Sequence, residues 1–298
     1  MHTTIPALHV GQGTQLDGLT LFPVWVDAPR IGSLEWSPDA LRVTERDGGA
    51  TVSALQANNT AARPLVALEG DLLEGGWQNR MLGRSVVLDA HERRQLDAVC
   101  IEQGRWGGAA EQGSGGRRAS LVVRFGDANA RHETGGARQS AVWRRIDRFE
   151  QHLGASPTSS FTRHLDRQSI RTPRLIDGQR GVIIGIGGRI MGLELFCSAT
   201  GLRSRWAGIV QAAAVDAQLA DPVTTPAERA RAFARAVQGR RLHGGEGGER
   251  WFAVGRDDHR VAMTGLGARL AGDHVDAVER GLLHLIAHDR AHPLLAAV

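Results

Sequence analysis

The stretch RGVIIGIGGRIMGLELF, residues 180–196, decides the fold class. Two apolar runs flank Gly187–Gly188, and a glycine pair supplies the positive-φ positions that a tight hairpin turn demands. The reading is a pair of adjacent antiparallel strands. The period then changes. GLRSRWAGIVQAAAVDAQLA, residues 201–220, has the alanine-rich amphipathic spacing of a long helix. TPAERARAFARAVQG, residues 225–239, predicts a second helix, with Thr225 as N-cap, Pro226 at the first position and Gly239 at the end. From residue 248 to 288 the chain returns to strand-like runs. Residues 177–298 therefore read as an α+β half in which two helices cover an antiparallel sheet.

Upstream the texture is different. LTLFPVWV (19–26), ATVSALQANN (50–59), PLVALEGDLL (64–73), RSVVLDA (84–90), DAVCIEQ (97–103) and SLVVRF (120–125) are short β-like runs separated by turn residues. They predict a mostly-β half over residues 1–126, sandwich or barrel-like. One short helix is expected at SPDALRVTER (37–46), with Ser37 as cap and Pro38 in the first turn. GGAAEQGSGGRR (107–118) carries so much glycine that a mobile surface loop is expected. A helical connection, 127–176, lies between the halves, where Val142, Ile146, Phe149 and Leu153 recur at helical spacing and Gly154 ends the run. A single continuous domain over 18–288 fits the same pattern.

Bulk properties narrow the function classes. With 298 residues, 42% hydrophobic and 23% charged, the chain has the composition of an ordinary globular protein. It opens on no basic segment followed by an apolar one and contains no apolar run approaching a membrane span, so a cytoplasmic protein without a membrane partner is expected. Every basic side chain is arginine, but 36 of them stand against 32 acids and the net charge is only +4. The signs are interspersed and tyrosine is absent, so no nucleic-acid groove is expected. Cys100 and Cys197 read as buried, reduced thiols.

Two polar clusters stand at the ends of β-like runs. EGDLLEGGWQNRM (69–81) offers Glu69, Gln78, Asn79 and Arg80, and CIEQGRW (100–106) offers Glu102, Gln103, Arg105 and Trp106. Arginine supplies a planar fork for phosphate or carboxylate, glutamate accepts protons, and tryptophan supplies a flat face. On neighbouring strand ends these groups could hold a nucleotide-like or sugar-phosphate ligand, with Gln78, Asn79, Arg80, Arg105 and Trp106 binding and Glu102 as base or polariser. The same residues could equally satisfy one another as a structural network.

Other features carry less. GGEGGE (244–249), with Glu246, has the glycines of an anion loop but precedes a strand and not a helix. His284 and His288 in HLIAH lack the intervening acid of a zinc helix, and no metal or cofactor is expected. RHLDR and DDHR pair Asp with His in a way common in loops, and Cys100 has no adjacent base to activate it.

GDLLEGGWQNRM followed by VCIEQGRW resembles the paired signature, Gly-Glu-x-x-x-Gly-x-x-Gln-Asn-Arg and then Cys-x-Glu-x-Gly-Arg-Trp, of the ARG-and-Rhodanese-Phosphatase-superfamily-associated proteins. The likeness extends over residues 18–288, through LTLFPVWV, GLELFCS, AVDAQ and LLHLIAH. The matching positions are Gln78, Asn79, Arg80, Cys100, Glu102, Gly104, Arg105 and Trp106, with Glu194 and Asp216 as weaker matches. Asp71 stands where the pattern has Glu, and Trp77 where a small basic residue is common. The resemblance implies a role near NAD or ADP-ribose metabolism, by genomic association with ADP-ribosylglycohydrolases. An ADP-ribose-like small molecule is the partner it implies, and oligomeric state is left open.

Overall fold

Gly187 and Gly188 turn the chain with φ of 58° and 73°, joining strands Gly181–Ile186 and Arg189–Phe196 in antiparallel register from Ile186↔Arg189 to Gly181↔Leu195. The structure, a computed structural model, describes residues 2–45, 53–126, 135–244, 250–255, 261–269 and 280–296. It is α+β, and the chain divides into two compact units. The first comprises Met1–Gly32, Pro173–Arg203 and Ala220–Pro293, the second Ser33–Thr172, Ser204–Leu219 and Leu294–Val298.

In the first unit, ten strands among the described residues form one antiparallel sheet around the hairpin. Leu19–Val26 pairs with one side of it and Arg280–Asp289 with the other. Helix Ala227–Val237 buries Ala230, Phe233, Ala234 and Val237 against Phe22, Ile183, Leu193 and Leu285 of the sheet. Their spacing of three and four is the stripe that one helix face presents. Pro226 takes the N-cap position expected of Thr225, because the Thr225 N–H donates to Thr20 Oγ1 at 3.1 Å and its hydroxyl to the Arg189 carbonyl at 3.4 Å.

In the second unit, six strands close into a barrel in the order Arg93–Cys100, Ala54–Asn59, Leu41–Thr44, Glu111–Gly113, Leu72–Gly75, Arg80–Leu82. Leu41, Val43, Leu55, Leu73, Leu82 and Leu96 belong to its core. A small barrel is filled by its inward side chains, so this is packed interior and not a pore. Three expectations are corrected. SLVVRF, read as a β-like run, is helix Leu121–Phe125, because Ser120 caps it by accepting the Val123 N–H at 3.3 Å. SPDALRVTER holds only a 3-10 turn, Pro38–Ala40, before strand Leu41–Thr44; Leu41 and Val43 are buried while Arg42 is exposed, so alternation outweighs helical spacing. GGAAEQGSGGRR contains strand Glu111–Gly113, which closes the barrel by pairing with both Leu41–Thr44 and Leu72–Gly75. Helix Gly135–Leu153 buries Val142, Ile146 and Phe149, as their spacing predicts. No helix among the described residues is long and apolar enough to cross a membrane.

Asp71 lies fully buried in this second unit. It receives Arg205 Nε at 3.0 Å, Arg205 Nη2 at 2.9 Å and the Leu68 N–H at 2.9 Å, and it also bonds Arg118 Nη1. Burial alone would raise its pKa, but the charges of Arg205 and Arg118 outweigh it and hold the carboxyl below its usual range. Arg205 extends from helix Ala199–Ala217 and also donates to the Trp36 carbonyl at 2.6 Å. Arg205→Leu should therefore cost about 3–5 kcal/mol, since it leaves a buried carboxylate short of its main counter-charge. Urea unfolding should show a lowered midpoint with an unchanged slope.

Candidate functional site

Strand register brings the two polar motifs together. Arg93–Cys100 pairs with Ala54–Asn59 through Asp97 and then changes partner, setting Ala98, Val99 and Cys100 opposite Leu82, Met81 and Arg80. The ladder continues as Ile101 N–H donates to the Asn79 carbonyl at 3.0 Å. The next side chain, Glu102, thus meets the Gln78–Arg80 turn.

Glu102 is buried at one end of this register. Its carboxylate accepts from the Asn79 N–H at 3.0 Å, Thr158 Oγ1 at 2.8 Å, Arg105 Nη2 at 2.8 Å and Arg105 Nε at 3.1 Å. Burial pushes its pKa up, but these donors together pull it below the usual carboxylate range. Arg105 is fully engaged as well. Nη1 donates to the carbonyls of Gly76 and Gly107 at 2.7 and 3.1 Å, and Nη2 to the Gly75 carbonyl at 3.2 Å and Asn79 Oδ1 at 3.3 Å. A Cβ at Gly108, where φ is 147°, would lie 2.2 Å from the Gly76 carbonyl, so the two loops close only with glycine there.

Two tryptophans ride on the loops that Arg105 ties. Trp77 is 39% exposed and Trp106 is 53% exposed, while the Gly107 N–H donates to the Trp77 carbonyl at 3.2 Å. Beside them, Asn79 Nδ2 donates to Thr162 Oγ1 at 3.0 Å. Arg117 bridges Glu74 at 3.1 Å, Asp166 at 2.9 Å and the Thr162 carbonyl at 3.1 Å. Burial chiefly raises the Glu74 pKa, with Asp166 adding to it against the pull of Arg117.

Arg80 and Gln78 face inward, both without solvent exposure. Arg80 lies 3.1 Å from Glu45 in an ion pair whose alignment is not that of a hydrogen bond. Gln112 Nε2 donates to the same Glu45 at 3.1 Å. Glu45 Oε2, Gln78 Oε1 and Gln112 Oε1 are buried without a hydrogen-bond partner among the described residues. Cys100, opposite Arg80, is pushed up to about 11 by burial and is not a thiolate nucleophile.

The remaining candidates lie apart from this cluster. Glu69 makes its described bonds through its backbone, with Ser85 and Arg118. Glu194 belongs to the first unit, buried and 2.9 Å from His284. Asp216 is buried beneath the short helix Leu121–Phe125 and accepts from the Val122 N–H at 3.3 Å. Glu246 lies outside the described residues. No group of three or more metal-ligating side chains occurs among the described residues. Glu74, Arg117, Thr158 and Thr162 are not singled out by the sequence, and Asp166 enters only as the Asp of RHLDR, where it pairs with Arg117 while His164 pairs with Glu150; only the pairing of distant segments shows that these residues meet.

Residues 7–287 match the ARG and Rhodanese-Phosphatase-superfamily-associated Protein domain, ARPP-1, and the chain belongs to that family. Neither a curated protein nor a solved structure matches it.

Two outcomes follow from the geometry. Arg105→Ala should cost about 2–4 kcal/mol in urea unfolding, because a buried carboxylate loses its charged partner and three carbonyls lose a donor. Burial raises Asp216 to about 7 from a usual 3.8. Between those values the folded chain holds a proton that the unfolded chain has released, so stability falls as pH rises through that window and levels off above it. Asp216→Asn should shrink the difference in unfolding free energy measured at about pH 5 and about pH 8.

Proposed function

From that membership and this geometry, we propose that the chain binds a small ligand with a flat ring and a sugar-phosphate part, ADP-ribose-like, on the face carrying Trp77 and Trp106. The supporting observation is that both indoles are exposed on backbone locked by Arg105. Large aromatic surface left in water on an ordered loop is pre-arranged for stacking, because little conformational freedom remains to be lost on binding. Arg117, a quarter exposed, is the cation placed to exchange Glu74 or Asp166 for a phosphate oxygen. Arg80 and Arg105 serve this face from within: one is enclosed and the other has its donors engaged by protein acceptors.

The reading is binding without catalysis. The Glu102 carboxylate is held ionised by donors that occupy it, which leaves it a poor base. The same occupancy favours a second reading, a non-catalytic scaffold of a modification operon in which the motif is a structural network. The two readings share one architecture and differ in whether the tryptophans meet a ligand. A reducing, cytoplasmic setting fits two buried free thiols.

Intrinsic fluorescence separates them. The chain has seven tryptophans and no tyrosine, so its emission reports indole surroundings alone. Titration with ADP-ribose, NAD or a ribose phosphate should produce saturable quenching. Trp106→Ala should weaken the affinity roughly tenfold or more, as stacking contributions of about 1–3 kcal/mol per ring imply, without lowering the melting temperature. No saturable change with any of the three would leave the scaffold reading.

A further inference from the structure

The first unit contains a cavity of about 360 Å³, in the size range of small-molecule sites. Val26, Ile31, Phe196 and Leu283 form much of its wall, and Arg180 and His284 also line it. Arg180 immediately precedes strand Gly181–Ile186 and is only 6% exposed. Its Nε donates to the Phe196 carbonyl at 3.3 Å, Nη1 to the Ala28 carbonyl at 2.6 Å and the Val26 carbonyl at 3.5 Å, and Nη2 to the Pro29 carbonyl at 3.3 Å. One Nη2–H is left over from the guanidinium's five N–H groups.

These acceptors aim the guanidinium without neutralising it. Among the described residues no carboxylate pairs with Arg180, and the Glu194 carboxylate is taken by His284 at 2.9 Å. Burial foremost, with Arg30 adding its charge, pushes the Arg180 pKa down. A cation enclosed in an apolar wall with no counter-charge is a costly arrangement that an anion entering the cavity would relieve. The wall itself is firm: Phe196 and His284 stack edge to face with centroids 4.9 Å apart.

We propose that this cavity binds a small apolar carboxylate, whose charged end meets Arg180 through its remaining Nη2–H and whose hydrocarbon or aromatic part lies against the apolar wall. The site belongs to the first unit and does not rest on the tryptophan face of the second.

Isothermal titration of the full chain at neutral pH tests it with two acids and their neutral analogues: decanoate against decanol, and cinnamate against cinnamyl alcohol. The expected result is that at least one acid binds about tenfold or more tighter than its alcohol, as a charge-assisted contact in a dry site requires. A preference for decanoate assigns an aliphatic ligand, and one for cinnamate an aromatic ligand. Arg180→Met should bring the acid down to the affinity of its alcohol. Should Arg180→Met not fold, Ala28→Phe keeps the Ala28 carbonyl and fills the cavity, and it should abolish acid binding while the protein still melts cooperatively. Equal affinity for acid and alcohol, no binding of either acid, or acid binding that survives Ala28→Phe would overturn the proposal and leave Arg180 as a clamp on main-chain carbonyls.

Discussion

The buried Asp71 carboxylate is the constraint on which the barrel unit depends. It joins Arg118 and Arg205, which are 47 and 134 residues away along the chain, at the position from which strand Leu72–Gly75 departs. Apolar packing could bring these segments near one another in several registers, because oily surfaces slide. A carboxylate enclosed with two guanidinium groups tolerates no such slippage: shifting any partner strands a charge in the interior. The Asp71–Arg118 bridge also fixes where the chain leaves the barrel after its closing strand, towards helix Leu121–Phe125.

From that fixed strand the rim follows by register. Leu73 lies opposite Arg80, and Arg80 opposite Cys100, so one ladder carries position from the buried ion cluster to Glu102. At that end the chain must turn sharply twice, and turning exposes carbonyls that no strand satisfies. Arg105 collects those of Gly75, Gly76 and Gly107 and returns its charge to Glu102. One guanidinium thereby completes two turns. It also explains why the tryptophans can be exposed without being loose: the backbone on which they stand is held from behind.

Periodicity made much of this legible in the sequence. The Gly187–Gly188 turn, the helix with Val142, Ile146 and Phe149, and the stripe from Ala230 to Val237 depend on nearest neighbours, which spacing encodes directly. Strand Glu111–Gly113 was hidden because its pairing partners lie far along the chain while glycine dominates its own neighbourhood. The motif residues were recognisable as a group, but not what each does. Arg105's acceptors are mostly main-chain carbonyls, which carry no residue identity, and Arg80 meets its counter-charge in Glu45, just past strand Leu41–Thr44, which Gln112 of the closing strand also holds. A sequence names the donor and leaves its acceptors to the fold.

Arg105 and Arg180 show how one side chain serves two ends. Both cap main-chain carbonyls with a planar fork that a lysine ammonium could not spread across several acceptors, and this chain has no lysine. Hydrogen bonding and charge are nevertheless separate requirements. Arg105 meets both, since Glu102 faces it at 2.8 Å, and so it holds structure and seeks nothing further. Arg180 meets most of the first and none of the second: its carbonyl partners satisfy four of its five N–H donors but leave a full positive charge beside an apolar cavity. Where most donors are satisfied and charge is not, a complementary ligand is anionic and needs few further donors. That condition describes the head of an apolar acid better than a phosphate, which would demand several N–H groups at once.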